Sequence, residues 1–465
     1  MSILAAYAVP HPPLLIPAIG AGREQEISAT VRAYHEVMRA AAELCPDTVV
    51  IISPHATAYD DFFHISPGTE AEGNFAAFGH PEISVGIPYD EDFVRVLSAF
   101  AGEKELPAGT LGEKHPLLDH GTMIPLFFLS EYLGDAPTKF VRIGIAGLPA
   151  HTHALLGQLI AATAERLGRR TICIASGDLS HRLMEGGANG FAPEGAEFDE
   201  LCTAFMKTGD FVSLLQIPGS FAETAGHCGL NGLWVLAGAL DRAAMDADLH
   251  SYEAPFGVGY AVASFTVTGR NEKNDFAAQL VRAEDRAIAE LRAAEDDYVR
   301  LARMSAEHFV RTHSYLPLPA ELPQELMESR VGAFVSIKKY GKLRGCIGTF
   351  VPAQQSLAEE ILYNAVSAGA HDGRFEPIEE HELNRLVYSV DVLSTPETIE
   401  SAAQLDPKTY GVIVKSLTDN RRGLLLPDLA GIDTAEQQIA IAREKARIQP
   451  KEPIALARFT VVRHI

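Results

Sequence analysis

Residues 3–13 read ILAAYAVPHPP, residues 48–55 read TVVIISPH and residues 170–181 read RTICIASGDLSH. Each is a short apolar run that ends at a proline, serine or glycine and is followed within a few residues by a histidine: His11, His55 and His181. Runs of this length and composition predict buried strands over 3–9, 48–52 and 170–175, with another over 140–146. Helical periodicity lies between them, over 24–43, 153–167 and 197–207. Strands separated by helices need crossover connections. The first ~270 residues therefore read as an α/β domain with a largely parallel sheet and helices on both faces. The stretch 257–268 reads as its last strand.

In such sheets ligands bind outside the carboxyl ends of the strands. A lone histidine at such an end is usually a surface or hydrogen-bonded core residue; three delivered to the same edge point to a metal site. Proline beside His11 and His55 stiffens the backbone there, which lowers the cost of ordering a ligand. Two further segments add candidates. Asp119 and His120 precede the apolar run 121–133, which predicts a helix N-terminus at that pair. His227 and Cys228 precede a second apolar run, 229–240, read as a buried helix, and either could complete a metal site. Two histidines with a carboxylate and open positions suit non-haem ferrous iron, and a thiolate would favour softer metals. Cys228 read alone is as well explained as a small buried apolar residue.

The chain has 465 residues, and at roughly 100–200 residues per domain this predicts more than one domain. The formal charge of -22 repels phosphate backbones and anionic bilayers, so neither nucleic acid nor a membrane surface is expected as a partner. No uncharged apolar run reaches ~18 residues, so no membrane span is expected. Five widely spaced cysteines, without a Cys-x-x-Cys pair, fit reduced thiols and a cytoplasmic location.

From 271 to 296 the chain is rich in Ala, Glu, Asp and Arg and reads as a helical connector. Beyond it, 297–465 reads as an α+β domain. A hairpin is expected around Lys339-Tyr340-Gly341, a helix over 357–370, strands over 386–393, 410–414 and 423–426, and a helix over 434–448. The run Leu343-Arg344-Gly345-Cys346-Ile347-Gly348 offers a thiol beside a cation. Arg344 could lower the Cys346 pKa, and Arg374 could add bidentate binding of an anionic group. The alternative is a tight strand crossing with a packed cysteine under a solvated basic face.

On these residues the first 270 positions resemble the catalytic-subunit superfamily of the class III extradiol dioxygenases, which includes the Memo proteins. The carrying features are His11 after the first strand, Ser-Pro-His55, the Asp119–His120 pair, Gly-Asp178-Leu-Ser-His181 and Cys228-Gly229. The resemblance implies that His11 and His55 ligate ferrous iron, with zinc or copper as alternatives, and that His181 is the acid–base histidine, helped by Asp178. Asp119 and His120 would line the pocket. Where the ring-cleaving enzymes carry a glutamate as third ligand, this chain has only Glu223 nearby. The Memo branch carries a cysteine, which points to Cys228, with His227 as the alternative.

Residues 297–465 resemble the AMMECR-type domain, through the Leu-Arg-Gly-Cys-Ile-Gly run, Asn364-Ala365, Asp372-Gly-Arg374-Phe375 and Gly423-Leu-Leu-Leu-Pro427. A chain joining both parts is similar to the A proteins of the AmmeMemoRadiSam systems. That implies a radical SAM protein as partner and a small-molecule substrate, aromatic rings included, for an oxidoreductase. A metal-binding accessory protein without turnover, or a metal-dependent hydrolase or lyase, remain alternatives. The oligomeric state, a homo-oligomer included, is left open.

Overall fold

The computed structural model describes residues 2–429 and 431–465. It divides into two compact units, Met1–Ala283 and Glu284–Ile465. In the first, six strands form one sheet in the order Lys139–Gly144, Thr48–Ser53, Thr171–Ser176, Ile3–Val9, Tyr260–Arg270, Ala243–Glu253. The first four are parallel, and the last two join antiparallel.

Every residue of Thr48–Ser53 and Thr171–Ser176 is buried, as expected of strands covered on both faces. Their side chains alternate between two cores. Val50, Ile52, Cys173 and Ala175 share one core with the helices Ala150–Leu167 and Leu230–Ala239. Val49, Ile51, Ile172 and Ile174 share the other with Ser28–Glu43 and His120–Leu133. Ser28–Glu43 buries Ala33, Tyr34, Val37, Met38 and Ala41, one stripe of a 3.6-residue period. The parallel register pairs Val9 with Ser176 and Ile52 with Ala175, so the chain leaves these three strands at one common edge.

Several strands escape the strand reading of the sequence, Ile454–Phe459 and Val461–His464 of the second unit among them. Ala243–Glu253 is an edge strand, and Glu70–Phe75 with His80–Pro88 forms an outlying hairpin. Both are largely solvent-facing, so they lack the apolar runs that mark the central strands. The helix expected from residue 24 begins at Ser28, after a 3-10 turn over Arg23–Ile27. Among the described residues no helix is long and apolar enough to cross a membrane.

The helix Phe276–Ala294 runs across the division between the units and is followed by Asp297–Thr312. The second unit has two four-stranded antiparallel sheets. One contains the hairpin Ala333–Lys339 and Lys342–Gly348, whose turn residues Tyr340 and Gly341 both have positive φ, 51° and 76°. That is the two-residue turn whose twist matches paired strands. The helices Asp297–Thr312 and Leu357–Ala370 supply its core with Val299, Leu301, Ile361 and Ala365. The second sheet carries the helix Ala435–Lys445 and a smaller core around Val412, Val414 and Leu425. The unit is α+β.

Candidate metal centre

His11 sits two residues past its strand and is 2 % exposed. Its backbone N–H donates to Asp178 Oδ1 at 2.9 Å, tying it to the end of the Thr171–Ser176 strand. Its Nδ1 lies 3.0 Å from Ser176 Oγ, and that hydroxyl lies 2.5 Å from the carbonyl of Gly121. Gly121 belongs to the helix His120–Leu133, which contains Pro125. A proline has no N–H, so the usual bond from residue 125 to the carbonyl of residue 121 cannot form. Ser176 donates its only proton to that freed carbonyl. Its oxygen is then an acceptor toward His11, so Nδ1 of His11 carries the ring hydrogen and Nε2 keeps its lone pair. Nε2 is the nitrogen facing the other candidates, 3.1 Å from His55 Nε2 and 3.6 Å from Cys228 Sγ.

Cys228 reaches this point through a close crossing of two chain segments. A Cβ on Gly177 would lie 2.3 Å from Gly229 Cα, so neither the approach nor its consequence survives a side chain there. At the crossing, Asp178 N donates to Cys228 Sγ at 3.1 Å, and Gly229 N donates to the Asp178 carbonyl at 2.9 Å. The residue patterns Ser-Gly-Asp and Cys-Gly are thus two halves of one joint.

Asp119 caps the helix at His120. It accepts from Thr122 N at 2.9 Å and Thr122 Oγ1 at 2.8 Å, and from Ser53 Oγ at 2.6 Å. Ser53 Oγ also accepts from the backbone N–H of His55 at 3.2 Å. The His120 ring packs on His55 at 4.2 Å and edge-on to His11 at 5.2 Å. The ligand atoms of His11, His55 and His120 lie within 4.8 Å of one another, as do those of His11, Asp178 and Cys228. His120 and Asp178, expected as pocket-lining and proton-handling residues, therefore also stand within ligand reach.

The structure separates His227 from Cys228. His227 stacks on Phe198 at 5.0 Å, and its Nδ1 accepts from Leu230 N at 3.3 Å, so its hydrogen is on Nε2. It joins neither group of ligand atoms. Among the described residues, His181 Nε2 is buried without a hydrogen-bond partner. Asp178, read from sequence as orienting an imidazole, spends Oδ1 on the backbone of His11. Glu223 is exposed on the helix Gly219–Ala225, away from both groups.

Burial, aided by His55, pushes the His11 pKa down to about 3, and burial also lowers His120 and His227 to about 4. These rings stay neutral, as ligands must. Burial lifts Asp178 to about 6, against the pull of the His11 N–H and His181. Burial opposes the charge of Asp119, but Arg142 and the bonds from Ser53 and Thr122 outweigh it and hold this carboxyl below its ordinary range. Burial and Asp178 push the Cys228 thiol up, so a metal must displace its proton.

The donor set fits a divalent ion. Two imidazole nitrogens at 3.1 Å repel unless a proton or cation lies between them, and a thiol and a carboxylate complete a mixed N, S and O set.

Comparison with known proteins matches both parts of the chain to family models. Residues 5–263 match the family model described as the catalytic LigB subunit of aromatic ring-opening dioxygenase. The chain belongs to this family. Residues 299–464 match the AMMECR1 family model. A Clostridium acetobutylicum protein is 34% identical over 472 residues, covering 100% of this chain and 99% of that protein. A Thermotoga maritima protein is 45% identical over 172 residues, 37% of this chain and 98% of its own. A crystal structure of a Pyrococcus horikoshii protein is 31% identical, covering 36% of this chain and 88% of that one, with a TM-score of 0.32. The LigB family ordinarily binds a metal, and the His–His–Asp/Cys group is the candidate place for it here.

In the AMMECR1-type unit the cations of the Arg344–Cys346 motif are already engaged. Arg344 donates to Glu382 at 3.1 and 2.9 Å, and Arg374 donates to Asp372 at 2.9 and 2.7 Å. The bidentate carboxylate expected of a ligand is supplied by the chain itself. Cys346 accepts from Ser336 Oγ at 3.2 Å, and its backbone N–H donates to Asp372 at 2.9 Å. Sequence reading missed Glu382 because nothing local links it to strand 342–348, and missed that Asp372, two residues before Arg374, takes up its guanidinium.

Proposed function

We propose that this chain is a non-haem, ferrous-iron-dependent oxidoreductase acting on a small aromatic substrate. His11, His55 and Cys228 hold the iron, with His120 packed against both imidazoles as a further donor. The observation that carries this reading is the Nε2 lone pair of His11, oriented by Ser176 and meeting His55 at 3.1 Å and Cys228 at 3.6 Å. When bound, the metal supplies Lewis acidity and a one-electron couple.

The protein's own groups supply binding and proton transfer. His181 presents a buried nitrogen without a partner among the described residues. Burial lowers its pKa and Asp178 raises it, which suits a group that takes a proton from a substrate hydroxyl and returns it. His227, which bears its hydrogen on Nε2, feels the charge of His181. A pure metal carrier needs no such pair, which favours turnover over an accessory role. The fusion to an AMMECR1-type unit, and the resemblance to AmmeMemoRadiSam proteins, support a radical SAM protein as the functional partner.

The test is purification without oxygen followed by metal analysis of the wild type, His11→Ala and His55→Ala. Stoichiometric iron in the wild type and its loss in both variants is expected. Equal metal content in all three would refute the site. His181→Ala is expected to keep the metal and lose turnover.

A further inference from the structure

Arg142 lies in the strand Lys139–Gly144 and is wholly buried. Its neighbours Val141 and Ile143 face the opposite core, so its side chain runs on the Phe140 face. A guanidinium withdrawn from water costs several kcal/mol unless it is paired. Two of its nitrogens donate to the His115 carbonyl, at 3.1 and 3.2 Å, and Nη2 lies 3.2 Å from Asp119 Oδ2. These acceptors bracket the turn that leads into His120. Asp119 also takes the Ser53 hydroxyl, whose oxygen receives the N–H of His55. One buried cation is therefore joined, through a single carboxylate, to the backbones of two candidate ligands on different elements.

The other end of the same turn is held as well. Glu113 Oε1 accepts from Thr57 Oγ1 at 2.6 Å and from His115 N at 2.9 Å. On the same side, His64 is buried with its Nε2 3.8 Å from Glu113 Oε2, and Tyr89 is buried beside the guanidinium. His64 and Tyr89 both feel the charge of Arg142.

We propose that Arg142 is a positioning residue for the metal centre: by gripping the His115 carbonyl and the Asp119 carboxylate together, it sets the turn that brings His120 beside His55 and His11. It touches neither metal nor substrate. The proposal rests on the metal reading above.

The test is a double-mutant cycle read by anaerobic cobalt(II) titration, using affinity and the visible absorption of the bound ion. Arg142→Lys keeps the charge but cannot fork to both acceptors. It is expected to weaken cobalt binding about 10–100-fold, the usual effect of losing an outer partner of a ligand. It is also expected to alter the absorption bands. In His120→Ala the same substitution is expected to cost clearly less than in the wild type, because the turn it holds then carries no ligand. Wild-type affinity and spectrum in Arg142→Lys, or losses that simply add, would overturn the proposal. If Arg142→Lys does not fold, Arg142→Met with Asp119→Asn removes both buried charges together and is read in the same cycle. A wild type that takes up no cobalt refutes the metal reading itself, whereas a wild type that binds it and an indifferent Arg142 variant refute only this proposal.

Discussion

Replacing Ser176 by alanine isolates the link that orients His11. The hydroxyl makes two buried hydrogen bonds, to His11 Nδ1 at 3.0 Å and to the Gly121 carbonyl at 2.5 Å. Without it the His11 ring loses the acceptor that keeps hydrogen on Nδ1, and the tautomer with hydrogen on Nε2 becomes competitive. That tautomer cannot bind a metal through Nε2. Removing the outer partner of a ligating histidine ordinarily costs about 10–100-fold in metal affinity, about 1.4–2.7 kcal/mol. The unmatched Nδ1–H and Gly121 carbonyl cost about 1–3 kcal/mol each in stability before water fills the gap. The assay is competition for zinc or cobalt(II) against a chromophoric chelator, with thermal melting on the same apo samples. A folded Ser176→Ala protein that binds metal as tightly as the wild type would show that Ser176 does not set the tautomer.

Three further outcomes are expected. Gly177→Ala drives a Cβ to 2.3 Å from Gly229 Cα, backbone against backbone; it should destabilise the first unit by at least the ~1–3 kcal/mol typical of overpacking and release metal, and unchanged melting with full metal content would contradict the crossing. His153 is fully buried, bonded to the Pro149 carbonyl at 3.1 Å, and burial lowers its pKa to about 4 from 6.5. The unfolded chain therefore takes up this proton first, so its contribution is complete above pH 6.5 and falls away toward pH 4, by roughly 3 kcal/mol; His153→Gln should flatten the fall in melting temperature over that range, and parallel curves would count against it. Arg344→Ala leaves Glu382, 6 % exposed, with Lys339 at 2.8 Å as its remaining cation; it should lower the melting of the second unit while metal binding by the first stays unchanged, and a metal loss equal to that of His11→Ala would be the contrary result.

Much of the site's location is legible from the residues alone. A short continuous apolar run that stops at Pro10, Ser53 or Gly177 is a local signal, and so is a histidine placed just beyond it. The same holds for Asp119 as a helix cap and for the Tyr340-Gly341 turn. The edge strand Ala243–Glu253 was not legible, because only two of its eleven residues are buried and its pattern resembles a loop. The partner of Arg344 was not legible either, since Glu382 lies 38 residues away, and the bond from Cys346 N–H to Asp372 spans 26 residues; the Asp372–Arg374 pair, by contrast, is local.

What the sequence determined by itself is the order of strands and helices, and the edge at which His11, His55 and His181 emerge, because strand endings depend on a few neighbouring residues. Only the tertiary structure decided that Cys228, and not His227, meets His11, that Ser176 and Pro125 together free His11 Nε2, and that Arg142 lies buried beneath Asp119. Those outcomes depend on atoms brought together across gaps of up to 217 residues. A hydrogen-bond direction or a ring tautomer has no local signature; it exists only once the chain has closed around it.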